Sequence, residues 1–186
     1  MQQADSTAPG SGGNHIRIAE PGDAAAIANI YNHYVAISDA TFEEVPVSPD
    51  DMIARICAVQ EAGLPWLVCE TRDVAGYAYA TPWKARFGYR FTTEISVYVS
   101  PSRTGQRIGS DLYAELIPTL EARGIRSVVA GIALPNDASI ALHERIGMKK
   151  VAHFERIGTK FGKWIDVGYW QMALPREGAG LRIVKG

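Results

Sequence analysis

The stretch Val97-Tyr98-Val99-Ser100-Pro101-Ser102-Arg103-Thr104-Gly105-Gln106-Arg107-Ile108-Gly109-Ser110 holds the residue types best suited to receive an anion. A strand-like run enters a loop with glycines and arginines, and a helical pattern follows. The first turn of a helix has free backbone N–H groups and the positive end of the dipole, so phosphate binds there readily. Gly105 and Gly109 let a ligand approach the backbone, and Arg103 and Arg107 add positive charge. Taken alone, the pattern is equally that of an ordinary helix start with solvated arginines. No Gly-Lys-Ser/Thr follows, so this is not the phosphate loop of nucleotide hydrolases. No GxGxxG is present, which leaves a dinucleotide fold unsupported.

The flanking patterns alternate between strand and helix. His15 to Ala19 reads as a short strand, and Pro21 and Asp23 open a helix through about Ala36. Ser48 or Asp50 caps a second helix that stops at Gly63. Trp66 to Glu70 and Val74 to Ala80 are strands around Arg72-Asp73, and Phe91 to Ser100 is a longer one. Gly105 to Arg123 is helical, with Ile108, Leu112, Leu116 and Leu120 on one face. Arg126 to Ala133 is an apolar strand of the kind covered on both faces. Pro135-Asn136 leads into a helix ending near Gly147, and Lys150 to Arg156 and Asp166 to Leu174 are the last strands. The class is α/β (α+β): one mixed sheet flanked by helices, without internal repeats.

The bulk properties bound the function. A chain of 186 residues with 47 % hydrophobic content suits one domain with a full core. The division expected is a disordered tail over 1–14, a domain over 15–174 and a second tail over 175–186. A formal net charge of −1 argues against a nucleic-acid footprint. No apolar run approaches the roughly 20 residues of a membrane helix, and no secretory signal is visible. Cys57 and Cys69 read as reduced thiols in a cytoplasmic protein, and no metal-ligand spacing occurs.

The strand–loop–helix is followed by Val128-Val129-Ala130-Gly131-Ile132-Ala133-Leu134-Pro135-Asn136-Asp137-Ala138-Ser139 and by Leu142-His143-Glu144-Arg145-Ile146-Gly147-Met148. In this order the segments resemble the GNAT acetyltransferases. Pro82-Trp83-Lys84-Ala85-Arg86, Glu94-Ile95-Ser96-Val97-Tyr98-Val99-Ser100 and Lys160-Phe161-Gly162-Lys163-Trp164-Ile165-Asp166-Val167-Gly168 resemble its phosphinothricin and methionine sulfoximine/sulfone branch. The likeness spans roughly Ile16 to Leu174. It implies a mostly antiparallel mixed sheet and acetyl-CoA as cosubstrate. The pyrophosphate would lie on Gly105, Gln106, Arg107, Ile108, Gly109 and Ser110, and the pantetheine arm along Val97, Tyr98 and Val99. Asn136 and Ser139 would complete the cofactor set. The family loop is Gln/Arg-x-x-Gly-x-Gly/Ala; Thr104 and Arg107 depart from it.

The resemblance further implies Glu94 as the base that takes the amine proton. Read by itself, an acid between Thr93 and Ile95 is a solvated or paired strand residue. Where many relatives carry a late-helix tyrosine, this chain has His143, whose ordinary pKa of roughly 6.5 suits proton exchange near neutrality. A helix histidine that caps or packs is the plainer reading. An amino-acid-like acceptor with a carboxylate needs a cationic clamp, for which Lys84 and Arg86 stand near Arg90. Phe42, Tyr89, Glu94 and Ser96 would line the acceptor pocket. The function implied is direct acetyl transfer to phosphinothricin, methionine sulfoximine or methionine sulfone, with herbicide or antibiotic resistance as an outcome and a homodimer as the assembly. The alternatives are another amine (a small amine, a peptide N-terminus, an aminoglycoside) or a non-catalytic acyl-CoA sensor.

Overall fold

The computed structural model describes residues 14–174. The expected tails lie outside these residues, except for Asn14, whose Nδ2 donates to Asp111 at 2.7 Å. The elements are β1 (His15–Ile18), α1 (Ala24–Ile37), α2 (Pro49–Glu61), β2 (Trp66–Glu70), β3 (Val74–Pro82), β4 (Thr92–Val99), α3 (Ile108–Ala122), β5 (Ser127–Leu134), α4 (Asp137–Arg145), β6 (Lys149–Lys160) and β7 (Lys163–Ala173). They build one sheet of order β1-β2-β3-β4-β5-β7-β6. All neighbours are antiparallel except β4 and β5.

Local chemistry sets the ends. Ser48 Oγ accepts from the Asp51 amide at 3.1 Å, and Pro49 opens α2. Asn136 Oδ1 does the same for α4, accepting from the Ser139 amide at 3.1 Å. The first helix differs from expectation: Pro21–Asp23 is a 3-10 turn, and α1 starts at Ala24. The third differs more. Gly105 and Arg107 both hold left-handed backbone, at φ +78° and +65°, so α3 cannot begin before Ile108. β6 and β7 also run longer than their residue patterns indicate. Phe161 and Gly162, at φ +50° and +72°, close them into a tight hairpin whose twist matches its strands.

Strand alternation assigns the two faces of the sheet. A Cβ on Gly76 would stand 2.8 Å from Ile108, so the even positions of β3 face α3. Tyr77 stacks on Tyr98, which packs edge-on against Tyr31 of α1, so the odd positions face α1 and α2. The stripe Ile108, Leu112, Leu116 and Leu120 is completely buried against the sheet, as its spacing requires.

Candidate active site

The sheet is split at its centre. β4 pairs with β5 only at Thr92–Ser127, Thr93–Val128 and Glu94–Val129. Beyond Glu94, β4 continues along β3 to Val99, while β5 continues along β7 to Leu134. From Ile95 onward, the β4 edge that faced β5 is therefore unpaired. A cavity of about 480 Å³ occupies the wedge, bounded by β4, the 103–110 loop, α3, β5 and α4.

One end of the cavity suits anions. The amides of Gly105, Arg107, Ile108, Gly109 and Ser110 donate to no protein acceptor among the described residues. Arg103, Arg107 and Arg145 line the same space and form no salt bridge among the described residues. Among the described residues no Asp or Glu lines it. Such a set offers fixed dipoles and full charges to a phosphate or diphosphate.

Glu94 stands where the split begins. It shares the α1–α2 face with its partner Thr81. The Gly131 amide donates to its carboxylate, and Lys84 exerts a weaker attraction; burial outweighs both and raises its pKa. A Cβ on Gly131 would lie 3.1 Å from Glu94 Oε1 and 3.3 Å from the Tyr169 ring, so glycine leaves that room free. Trp83 meets Tyr169 edge-on, and Lys84 Nζ lies 4.6 Å above Trp83.

His143 lies across the sheet from Glu94, on the α3–α4 side. It is 4 % exposed, and its Nδ1 is 2.7 Å from the Ser139 carbonyl. A carbonyl only accepts, so Nδ1 carries the hydrogen, and the neutral ring bears its lone pair on Nε2. Tyr113 Oη donates to that nitrogen at 3.0 Å. Burial lowers the His143 pKa, the Ser139 contact opposing it, which favours the neutral ring.

The wedge brings together Ser96, Val97, Tyr98, Val99, Gly105, Arg107, Ile108, Gly109, Ser110, Asn136, Ser139 and His143. Gln106 is not among its walls; its amide turns back to the Arg103 carbonyl at 3.4 Å. The Val99 carbonyl accepts from Tyr34 Oη at 2.6 Å, which takes one of its two lone pairs. Asn136 lines the cavity and spends its oxygen on the helix cap. Glu94, Phe42, Lys84, Arg86 and Tyr89 stand outside the wedge. Arg86 and Tyr89 are exposed on the β3–β4 connection, joined by a Tyr89 amide to Arg86 carbonyl bond. Arg90 is tied to its own loop, bonded to the Phe87 carbonyl and stacked between Phe87 and Phe91.

Sequence reading missed Tyr113, Gly131, Arg145, Gly158 and Lys160 as site residues. A tyrosine inside the Leu112–Leu116 stripe was the one signal for Tyr113, because a buried hydroxyl needs a partner. Lys160 is completely buried and donates to the Tyr34, Ser38 and Thr41 carbonyls at 3.2, 2.6 and 2.8 Å. It pins the β6–β7 hairpin to the segment carrying Phe42. Cys57 and Cys69 are free, and neither lines the wedge. Among the described residues no three ligand side chains gather around a metal position, and no helix is long and apolar enough to cross a membrane.

A wedge with an anion-receiving end and a free strand edge, and a half-buried carboxylate just outside it where the split begins, define an acyltransferase built for a long anionic donor. The chain belongs to the GNAT acetyltransferase family: the model of the acetyltransferase (GNAT) domain matches residues 16–168. It is an N-acetyltransferase. It is 45 % identical over 157 residues to the phosphinothricin N-acetyltransferase of Streptomyces viridochromogenes, covering 84 % of this chain and 85 % of the relative. It is 39 % identical over 165 residues to the L-methionine sulfoximine/L-methionine sulfone acetyltransferase of Salmonella typhimurium, covering 88 % and 96 %. A solved GNAT phosphinothricin acetyltransferase from Sinorhizobium meliloti, in complex with acetyl-CoA, superposes with a TM-score of 0.84 at 34 % identity, covering 89 % and 94 %.

Proposed function

We propose that the protein transfers the acetyl group of acetyl-CoA to the primary amine of a small amino-acid-like acceptor of the phosphinothricin or methionine sulfoximine/sulfone type. The observation that carries this reading is the unpaired β4 edge, which runs from Glu94 to the unpartnered amides of Gly105 and Arg107–Ser110. In this reading those amides and Arg103, Arg107 and Arg145 hold the phosphates. Main-chain groups of Ile95 and Val97 hold the pantetheine arm as a further strand would. Asn136 and Ser139 border the arm on the α4 side.

The amine enters from the α1–α2 face, where Glu94 accepts its proton directly or through water. Burial suits Glu94 to this, because a carboxylate with a raised pKa is a stronger base than a solvated one. Lys84 and Arg86 receive the acceptor's carboxylate, and Phe42, Tyr89 and Ser96 wall its side chain. The sulfur leaves on the opposite face, toward His143 and Tyr113. No cysteine lines the wedge, which favours direct attack within a ternary complex over a thiol relay.

Two free thiols suit a reducing compartment, and a cytoplasmic location is part of the proposal. The exposed Val151, Phe154, Ile157 and Trp164 of the last hairpin support a homodimer seated there.

The test is thiol release from acetyl-CoA with phosphinothricin, methionine sulfoximine, methionine sulfone and ordinary amino acids in parallel. Turnover concentrated in the first three supports the acceptor class. Turnover on polyamines or aminoglycosides alone would overturn it, and acetyl-CoA binding without turnover on any amine would indicate a sensor.

A further inference from the structure

Tyr113 belongs to the apolar stripe of α3 by position but not by chemistry. Its neighbour Leu112 is a buried hydrocarbon, whereas Tyr113 carries a hydroxyl to a position that is 0 % exposed. Hydroxyls in such places need a partner, and the sole partner of this one among the described residues is His143 Nε2, at 3.0 Å. The rings also meet edge-on, with centroids 5.3 Å apart. Both residues line the wedge.

The direction of the bond follows from the other side of the ring. Nδ1 donates to the Ser139 carbonyl, so in the neutral ring Nε2 has only a lone pair to offer, and the tyrosine donates. The imidazole is thus held at both nitrogens: at Nδ1 by the Ser139 carbonyl at 2.7 Å, with the Ser139 hydroxyl farther off at 3.3 Å, and at Nε2 by a hydroxyl from α3. Nε2, the nitrogen left for chemistry, is covered by Tyr113 at rest.

We propose that Tyr113 is a positioning residue of the acetyl-transfer reaction, holding His143 as its neutral Nδ1–H tautomer with Nε2 directed at the wedge through the tyrosine hydroxyl. This rests on the proposed reaction at the same site. It makes His143 at rest a hydrogen-bond acceptor and not a proton donor. Any proton that reaches or leaves Nε2 must meet Tyr113 first. The other titratable or charged side chains lining the wedge are Tyr34 from α1, Tyr98 from β4, Arg103 and Arg107 from the loop, and Arg145 from α4.

Two measurements test the proposal. The first needs no turnover and so stands apart from the acceptor assignment: nitrogen NMR of the intact protein with labelled histidine. The expected spectrum has a protonated Nδ1 and a lone-pair-bearing Nε2 for His143 at neutral pH; an Nε2–H tautomer would overturn the proposal. The second is Tyr113→Phe, which keeps the ring and removes the donor. Its kcat is expected to fall about tenfold, with KM for both substrates changed less than about twofold. A donor to Nε2 favours the neutral ring, so its loss moves the His143 titration, and the limb of the pH–rate profile that reports it, to higher pH. In a His143→Ala background the same substitution should have no further effect on kcat. A pH profile superimposable on that of the parent, or an equal loss in the His143→Ala background, would show that the hydroxyl serves packing alone.

Discussion

Gly158 of β6 lies directly beneath Phe42: a Cβ at position 158 would stand 2.6 Å from Phe42 Cζ and 2.7 Å from Cε1. The ring therefore rests on bare backbone, and its place is set by an element more than a hundred residues away in sequence. Gly158→Ala should displace the ring. The expected outcome is a KM for the amine raised about three- to tenfold with acetyl-CoA affinity unchanged, since the contact lies outside the donor wedge. Steady-state kinetics with calorimetric titration of acetyl-CoA would check this, and an unchanged amine KM would remove Phe42 from the acceptor pocket.

Lys160 makes the same hairpin structural. Lys160→Met preserves most of the stem but leaves the Tyr34, Ser38 and Thr41 carbonyls without their donor. Unfolding free energy should fall by about 3 kcal/mol, which for a domain of this size is about 10 °C in Tm. Thermal denaturation read by circular dichroism measures it; a shift below about 2 °C would mean that water replaces the ammonium without loss.

Glu94 should show function and stability in opposition. Its folded-state pKa is raised by burial, so the ionised form is disfavoured in the native state. Above its unfolded pKa this carboxylate lowers stability, and the loss disappears as pH falls below that value. Glu94→Gln is therefore expected to be more stable than the parent at pH 7 and no more stable near pH 3. Its kcat should fall about a hundredfold or more, with acetyl-CoA affinity nearly unchanged. The acid limb of the parent's kcat/KM profile should lie above the ordinary carboxylate range and be absent from the variant. Denaturant melts at both pH values and a pH–rate series give the readouts, and undiminished turnover would withdraw Glu94 as the base.

Arg107 holds a left-handed conformation that glycine adopts without cost, yet it presents a guanidinium to the wedge. Arg107→Gly relieves backbone strain of about 1 kcal/mol, partly offset by greater freedom of the unfolded chain. The variant's Tm without ligand should equal or exceed the parent's, while acetyl-CoA binds about tenfold more weakly at low salt. A matching affinity at low ionic strength would show that the backbone amides suffice.

Much of the architecture was legible because local physics dictates it. The Ile108-Leu112-Leu116-Leu120 spacing specifies one buried helix face, Ser48 and Asn136 specify caps, and Val128 to Ile132 specifies an interior strand. The anion-receiving loop was legible for the same reason, since free amides at a helix start are a property of the backbone. The point where α3 begins was not. It depends on two left-handed residues, one of them an arginine, and the sequence marks only the glycine.

The paired partners were also beyond reach, because they join elements remote in the chain. Residue types nominate Glu94 and His143, but only packing decides that one is raised by burial and the other is neutral with a named tautomer. Gly131 against Glu94, Tyr113 against His143, and Gly158 and Lys160 against the Phe42 segment are contacts between different elements. No local periodicity encodes them. The sequence by itself determined the helices, the strands and the glycine-bearing loop with free amides. Tertiary structure decided where the sheet splits, which face each titratable group occupies and whether that group is charged, because desolvation depends on everything packed around it.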